Sequence, residues 1–147
     1  MKQQVRYTEK ELPLVAAHLA AMVVPGTIIT FAGLLGAGKT TLIQELGKQL
    51  GIVEYMPSPT YGYVAAYKAE SVTVYHFDLY RLAGVEDFEA LGFHEYLNDP
   101  HGVCCIEWAE RIEELLVLPL YSQRRCLVSL AYCAEDASCR ELLVKMP

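Results

Sequence analysis

Gly33-Leu34-Leu35-Gly36-Ala37-Gly38-Lys39-Thr40 has the spacing G-x-x-x-x-G-K-[ST], that of a loop built to hold phosphate. The flanks of this stretch give it weight. Upstream, Gly26 precedes Thr27-Ile28-Ile29-Thr30-Phe31-Ala32, a β-branched run expected to form a buried strand. Downstream, Leu42, Ile43, Leu46 and Leu50 fall on one face of a helix, and Gly51 is a natural residue to end it. A glycine-rich turn with an incidental lysine is the bland alternative, and the strand and helix on either side speak against it.

In that order each residue type has a physical task. Glycines let the backbone curl so that successive N–H groups point inward at phosphate oxygens. The helix N-terminus adds its partial positive charge beneath them. Lys39 brings a full charge to the β- and γ-phosphates, and Thr40 offers its hydroxyl to Mg²⁺.

The bulk properties narrow the class. A chain of 147 residues, 53% hydrophobic, suits one domain that buries roughly 70% of its unfolded surface. No apolar run approaches the ~20 residues needed to span a bilayer, and Met1-Lys2-Gln3-Gln4 begins no secretory signal. A cytoplasmic location is expected. The five cysteines are odd in number and contain no C-x-x-C pair, so buried free thiols are expected and a zinc site is not. Twelve Lys+Arg against eighteen Asp+Glu give a net charge of −6, which disfavours tight unaided binding to nucleic acid.

Taken in order, Thr8 to Val23 reads as a first helix with the capping-box spacing Thr8-x-x-Glu11. Its apolar face is expected to be Leu14, Val15, His18, Leu19 and Met22, with Pro13 in the first turn. Met56-Pro57-Ser58-Pro59-Thr60 is held extended by its prolines. It is either a loop that senses the γ-phosphate or a plain connector. Tyr61–Tyr67 and Val72–Phe77 read as a hairpin with Tyr61, Tyr63 and Tyr67 on one face. A helix over Val85–Leu97 is weakened by Gly92, and its candidate core residues are Phe88, Leu91 and Tyr96. Val103-Cys104-Cys105-Ile106-Glu107 is a strand apolar on both faces. A helical stretch near Ala109–Leu116, a strand over Cys126–Tyr132 and a final strand near Glu141–Lys145 complete the chain.

These elements describe an α/β protein of the P-loop NTPase fold. A mixed central β-sheet is flanked by helices, with a β-hairpin inserted after the P-loop helix and a C-terminal antiparallel hairpin. Residues 1–147 are expected to form a single ATPase domain.

Hydrolysis of a nucleoside triphosphate needs an acid facing the P-loop hydroxyl across Mg²⁺. Asp78 and Glu107 both end strands. Asp78 closes an alternating strand suited to an antiparallel edge hairpin, with an ordinary capping role as its alternative. Glu107 closes the buried strand, where ligands bind in such sheets. The metal is therefore assigned to Thr40 and Glu107, and Asp78 is left to position the attacking water. A guanine-specific N-K-x-D is absent, since the one asparagine, Asn98, precedes Asp99. Asp99-Pro100-His101-Gly102 precedes the buried strand and reads as a turn. A small-molecule kinase and a nucleotide-dependent scaffold with negligible turnover stay open beside an ATPase.

Gly33–Thr41, Ser58-Pro59-Thr60-Tyr61, Tyr75-His76-Phe77-Asp78-Leu79-Tyr80-Arg81-Leu82 and Cys105-Ile106-Glu107-Trp108 resemble, in that order, the TsaE (YjeE) family of bacterial ATPases. The resemblance runs from about Thr8 to Tyr132, and the His76–Leu82 block is its most specific part. It implies a Mg²⁺-dependent ATPase that joins TsaD and TsaB to form threonylcarbamoyladenosine in tRNA, with the tRNA held by the partners. By the same resemblance Gly36, Ala37, Gly38, Lys39, Thr40 and Thr41 would hold the phosphates, and Thr40 with Glu107 the metal. Ser58 and Thr60 would belong to a switch-like loop. Asp78 would be a catalytic acid beside Lys39 and Glu107, and Trp108 would neighbour the nucleotide. Segments around Thr8 and Arg140 are weaker matches for residues approaching the nucleotide. Leu34 stands where the family commonly has Asp, which leaves the backbone cradle intact but removes any contact made by that acid. Isolated turnover should be slow if a stabilising charge arrives in trans. Arg81 and Arg111 are the candidates within the chain.

Overall fold

The computed structural model describes residues 1–59 and 62–147. Ile28–Ala32 (β2) and Gly102–Glu107 (β5) lie at the centre of its sheet, because both strands bury residues on two faces. The elements before and after them are β1 (Lys2–Thr8), α1 (Leu12–Met22), α2 (Lys39–Gln49), β3 (Val64–Lys68), β4 (Thr73–Asp78), α3 (Val85–Ala90) and α4 (His94–Leu97), then α5 (Glu113–Leu116), α6 (Pro119–Ser122), β6 (Arg125–Cys133) and β7 (Asp136–Lys145). Among the described residues they make one seven-stranded sheet in the order β1-β7-β6-β2-β5-β4-β3. Its middle four strands are parallel. The outer pairs, β3–β4 on one side and β1–β7–β6 on the other, are antiparallel. The sheet is mixed, as the sequence predicts.

Period-two alternation divides the core. Ile29, Phe31, Val74, Val103 and Cys105 face α1 and α2, where Leu19, Leu42, Ile43 and Leu46 meet them. Ile28, Phe77, Cys104 and Ile106 face the other way, onto Phe88, Leu97, Ile112 and Leu116. Each such fully buried side chain contributes roughly 1.5–3 kcal/mol. The same alternation puts His76 and Asp78 of β4 and Glu107 of β5 on the α2 side. The helix after the phosphate loop ends as predicted. Gly51 adopts φ +102°, and the N–H groups of Gly51 and Ile52 return to the carbonyls of Lys48 and Gly47 at 3.1 and 2.9 Å.

Several expectations need correction. Lys2–Thr8 is an edge strand where no element was expected, paired along its length with β7. The Thr8 N–H does bond Glu11 Oε1 at 3.1 Å, yet this box opens a short 3₁₀ turn, and α1 begins only at Leu12. The core face of α1 is Leu12, Ala16 and Leu19. Of the expected face, Leu19 is buried and Val15 and Met22 pack against the core, whereas Leu14 is exposed and His18 bonds Gln3 Oε1 at 3.0 Å. Tyr63 takes φ +63° ahead of β3, which breaks the hairpin's alternation. Tyr67 is thereby buried on the α1–α2 side while Tyr63 packs on the opposite cluster; Tyr61 lies outside the described residues. Gly92 (φ +75°) splits the helix expected over 85–97, leaving Leu91 exposed. β3 and β4 do form an antiparallel hairpin at the sheet edge, with β3 outermost and β4 parallel to β5 on its other side.

The cysteine reading is also corrected in part. Cys133 and Cys139 form a disulfide across the turn between β6 and β7. Antiparallel pairing with a bulge at Tyr132/Cys133 brings their Cα atoms to 5.4 Å, inside bonding reach. Cys104, Cys105 and Cys126 are buried free thiols as expected. Among the described residues no helix is long and apolar enough to cross a membrane.

Candidate functional site

The phosphate loop leaves β2 pressed against β6. Gly33 has φ +151°, and a Cβ there would lie 2.6 Å from the Leu130 carbonyl oxygen, so the position accepts no side chain. Gly36 and Gly38 adopt φ +82° and +102°, which supply the curl. The Ala37 N–H closes the turn on Leu34 O at 3.0 Å, and the Leu42 N–H opens α2 on Gly38 O at 2.9 Å. Tyr132 anchors the loop from outside, its hydroxyl donating to Gly36 O at 2.7 Å. Lys39 is buried, donates from Nζ to Gly33 O at 2.7 Å, and sits 4.3 Å from the centre of the Trp108 ring. Trp108 in turn meets the Tyr80 ring in a tilted contact, with centroids 4.8 Å apart. The loop tip presents Leu34 and Leu35 to solvent, 78% and 84% exposed.

The two strand-end acids meet this loop differently. Thr40, in the first turn of α2, donates its hydroxyl to both carboxylate oxygens of Glu107, at 3.0 and 2.9 Å. Glu107 is only 4% exposed. Its Oε2 also lies 2.8 Å from His76 Nε2. Asp78 is register partner to Glu107 in the adjacent parallel strand. Asp78 Oδ2 accepts the Ser58 hydroxyl at 3.3 Å, while Oδ1 caps the following turn through the Tyr80 N–H at 3.1 Å. Asp78 thus caps the turn with one oxygen and keeps the other on Ser58. Thr60 lies outside the described residues. Arg111 donates to Tyr80 O at 3.0 Å.

A cavity of about 780 Å³ opens beside the loop, lined by Gly36, Gly38 and Thr41, by Tyr7 and Thr8, and by Ser138 and Arg140. Tyr7, Arg140 and Tyr132 are successive register partners across β1, β7 and β6. The Arg140 guanidinium lies 4.0 Å over the Tyr132 ring, a cation–π contact. Burial pushes the Tyr7 hydroxyl above its ordinary pKa, and nearby Arg140 opposes that. Of the predicted residues, Gly36–Thr41, Glu107 and Trp108 converge on one end of the sheet, joined by Asp78 and Ser58. Sequence reading missed Tyr132, Tyr7 and His76. His76 lay inside the quoted His76–Leu82 block; the tyrosines needed the strand register to be seen.

The donor set suits Mg²⁺. Thr40 and Glu107 offer hard oxygen ligands already held together, and Mg²⁺ takes one or two such groups plus phosphate and water.

The comparisons agree with this geometry. The family profile described as "Threonylcarbamoyl adenosine biosynthesis protein TsaE" matches residues 7–140. The tRNA threonylcarbamoyladenosine biosynthesis protein TsaE of Rickettsia conorii is 41% identical over 114 residues, covering 77% of this chain and 64% of that protein. Its counterpart in Bacillus subtilis is 39% identical over 107 residues, 73% of this chain and 66% of the relative. The match therefore spans just under two thirds of those relatives' length. The crystal structure of YdiB from Bacillus superposes with a TM-score of 0.71 at 28% identity, covering 98% of this chain and 86% of YdiB. With profile, relatives and fold in agreement, the chain belongs to the TsaE family of tRNA threonylcarbamoyladenosine biosynthesis proteins, whose P-loop fold implies nucleotide binding.

Proposed function

We propose that this chain binds ATP with Mg²⁺ and hydrolyses it to support formation of threonylcarbamoyladenosine in tRNA, working in the cytoplasm with TsaD and TsaB. The observation that carries this reading is the Thr40 hydroxyl held on both oxygens of Glu107 at 3.0 and 2.9 Å, where loop and buried strand end together. Gly36–Thr41 would cradle the phosphates through backbone N–H groups. Lys39 would exchange its bond to Gly33 O for a phosphate oxygen while Trp108 shields it from water. Thr40 and Glu107 would hold the metal, which when bound neutralises charge on the β- and γ-phosphates. Asp78 and Ser58 would orient the attacking water. The cavity beside Tyr7 and Arg140 has room for the nucleoside.

A net charge of −6 suits a subunit that reaches tRNA only through its partners. ATP turnover measured alone and with TsaD–TsaB tests the proposal. Slow turnover that rises in the complex supports it. Absence of binding to that pair, with and without ATP, overturns it. Phosphate transfer to a metabolite would identify a kinase, and binding without hydrolysis in the full complex a scaffold.

A further inference from the structure

His76 is completely buried in β4, on the sheet face that also carries the apolar Val74, Val103 and Cys105. The other buried polar side chains are satisfied. Thr30 accepts from Arg125, Thr27 accepts the Val24 N–H, Arg125 grips Glu113 with two nitrogens, and Lys39 bonds Gly33 O. His76 is the exception. Nε2 meets Glu107 Oε2 at 2.8 Å, and Nδ1 is buried with no hydrogen-bond partner among the described residues. A buried nitrogen without a partner costs stability that a leucine or phenylalanine at the same point would not. The ring is therefore not explained by packing. What it supplies is one directed N–H.

That N–H reaches Glu107 on the diagonal. His76 is register partner to Cys105, two residues before Glu107, and same-face diagonal neighbours in a sheet are within reach of a long side chain. Since a carboxylate only accepts, Nε2 carries the hydrogen. The Glu107 carboxylate is then held from the strand side by His76 and from the helix side by the Thr40 hydroxyl. With the Thr40 hydrogen on Glu107, the lone pairs of the Thr40 oxygen stay free for a cation. Loss of the His76 contact would let Glu107 rotate and release Thr40.

We infer that His76 is a positioning residue for the nucleotide reaction, fixing Glu107 so that Thr40 and Glu107 together present a preformed Mg²⁺ site. The inference rests on the reading of Glu107 as the metal carboxylate. Outer partners that orient a ligand are worth 10–100-fold in metal affinity or activity.

The test reads binding instead of turnover. Trp108 is the chain's one tryptophan and lies 4.3 Å from Lys39, so its fluorescence can report ATP binding in EDTA and across a Mg²⁺ titration. His76→Leu is expected to leave ATP affinity in EDTA within about 3-fold while raising the Mg²⁺ half-saturation about 10-fold or more. His76→Gln, whose amide can place an N–H near Nε2, should restore most of the loss, and the shorter His76→Asn should not. In a Glu107→Gln background His76→Leu should add nothing, as expected for residues acting as one unit. Unchanged Mg²⁺ dependence in a folded His76→Leu protein overturns the inference. So does equal behaviour of the Gln and Asn variants, which decides the matter if His76→Leu does not fold. If Glu107→Gln alone leaves the Mg²⁺ requirement intact, the failure lies in the assignment of Glu107 and takes this inference with it.

Discussion

Asp78 and Glu107 are register partners at the ends of adjacent parallel strands, yet only Glu107 touches the phosphate loop, through Thr40. Asp78 instead faces Ser58 on the neighbouring loop. Two acids at one level, with different partners, lend themselves to different tasks. Asp78→Asn keeps the shape and the cap on Tyr80 but removes a basic oxygen. It should lower ATP turnover by about 10²-fold or more, the usual scale for a positioned acid or base, while nucleotide affinity stays within about 3-fold. Single-turnover hydrolysis beside equilibrium binding checks this, and an equal loss in both would contradict the separation of roles.

Lys39 bonds a backbone carbonyl of its own loop and lies beside an aromatic face. A charge-assisted bond from its ammonium to a phosphate would be worth about 1.5–3 kcal/mol. Lys39→Ala should therefore weaken ATP binding by roughly 10-fold or more, with little change in melting temperature because no buried partner is left charged. Calorimetric titration with ATP measures it. Equal affinity in variant and parent would remove Lys39 from the phosphate site.

Gly33 is where the loop and β6 touch. An alanine Cβ would sit 2.6 Å from Leu130 O, in a backbone conformation that L side chains rarely adopt. Gly33→Ala should cost about 1–3 kcal/mol, the range of an overpacked site, and shift Gly36 relative to Tyr132. Thermal melting should show the loss of stability, and nucleotide affinity should fall with it. A variant with the parent's melting temperature would mean that the loop–β6 contact yields easily.

The central strands, the phosphate loop and α2 were legible in the sequence because each is specified locally. Val103–Ile106 is apolar on both faces, the glycines mark the curl, and Gly51 ends the helix. The meeting of Glu107, and not Asp78, with the Thr40 hydroxyl was likewise open to reading, since a buried strand's end is where such sheets bind ligands. β1 was not legible. Lys2–Thr8 carries few apolar residues, and its strand character comes from hydrogen bonds to β7, more than 130 residues along the chain. Tyr7 and Tyr132 became site residues only once that register placed both beside Arg140. The tyrosine stripe expected on the β3–β4 hairpin failed at one torsion, the left-handed Tyr63.

The Cys133–Cys139 disulfide closes the turn that carries Tyr132 and Arg140 toward the cavity beside the phosphate loop. The residues separate cleanly by reactivity. Burial pushes the Cys104 thiol up to about 12 and that of Cys126 to about 11, and raises Cys105 as well. All three therefore stay protonated and shielded near neutral pH, where the thiolate is the reacting form. Native, unreduced protein should take up almost no iodoacetamide, denatured unreduced protein three equivalents and denatured reduced protein five, by intact mass. Five equivalents without reductant would show that the two hairpin cysteines are free. Closing so short a loop stabilises the hairpin by about 2 kcal/mol or less. Cys133→Ser should thus lower the melting temperature by a few degrees and weaken ATP binding several-fold through looser placement of Tyr132 and Arg140. If affinity held while stability fell, the hairpin would be a strut for the sheet and not a wall of the nucleotide cavity.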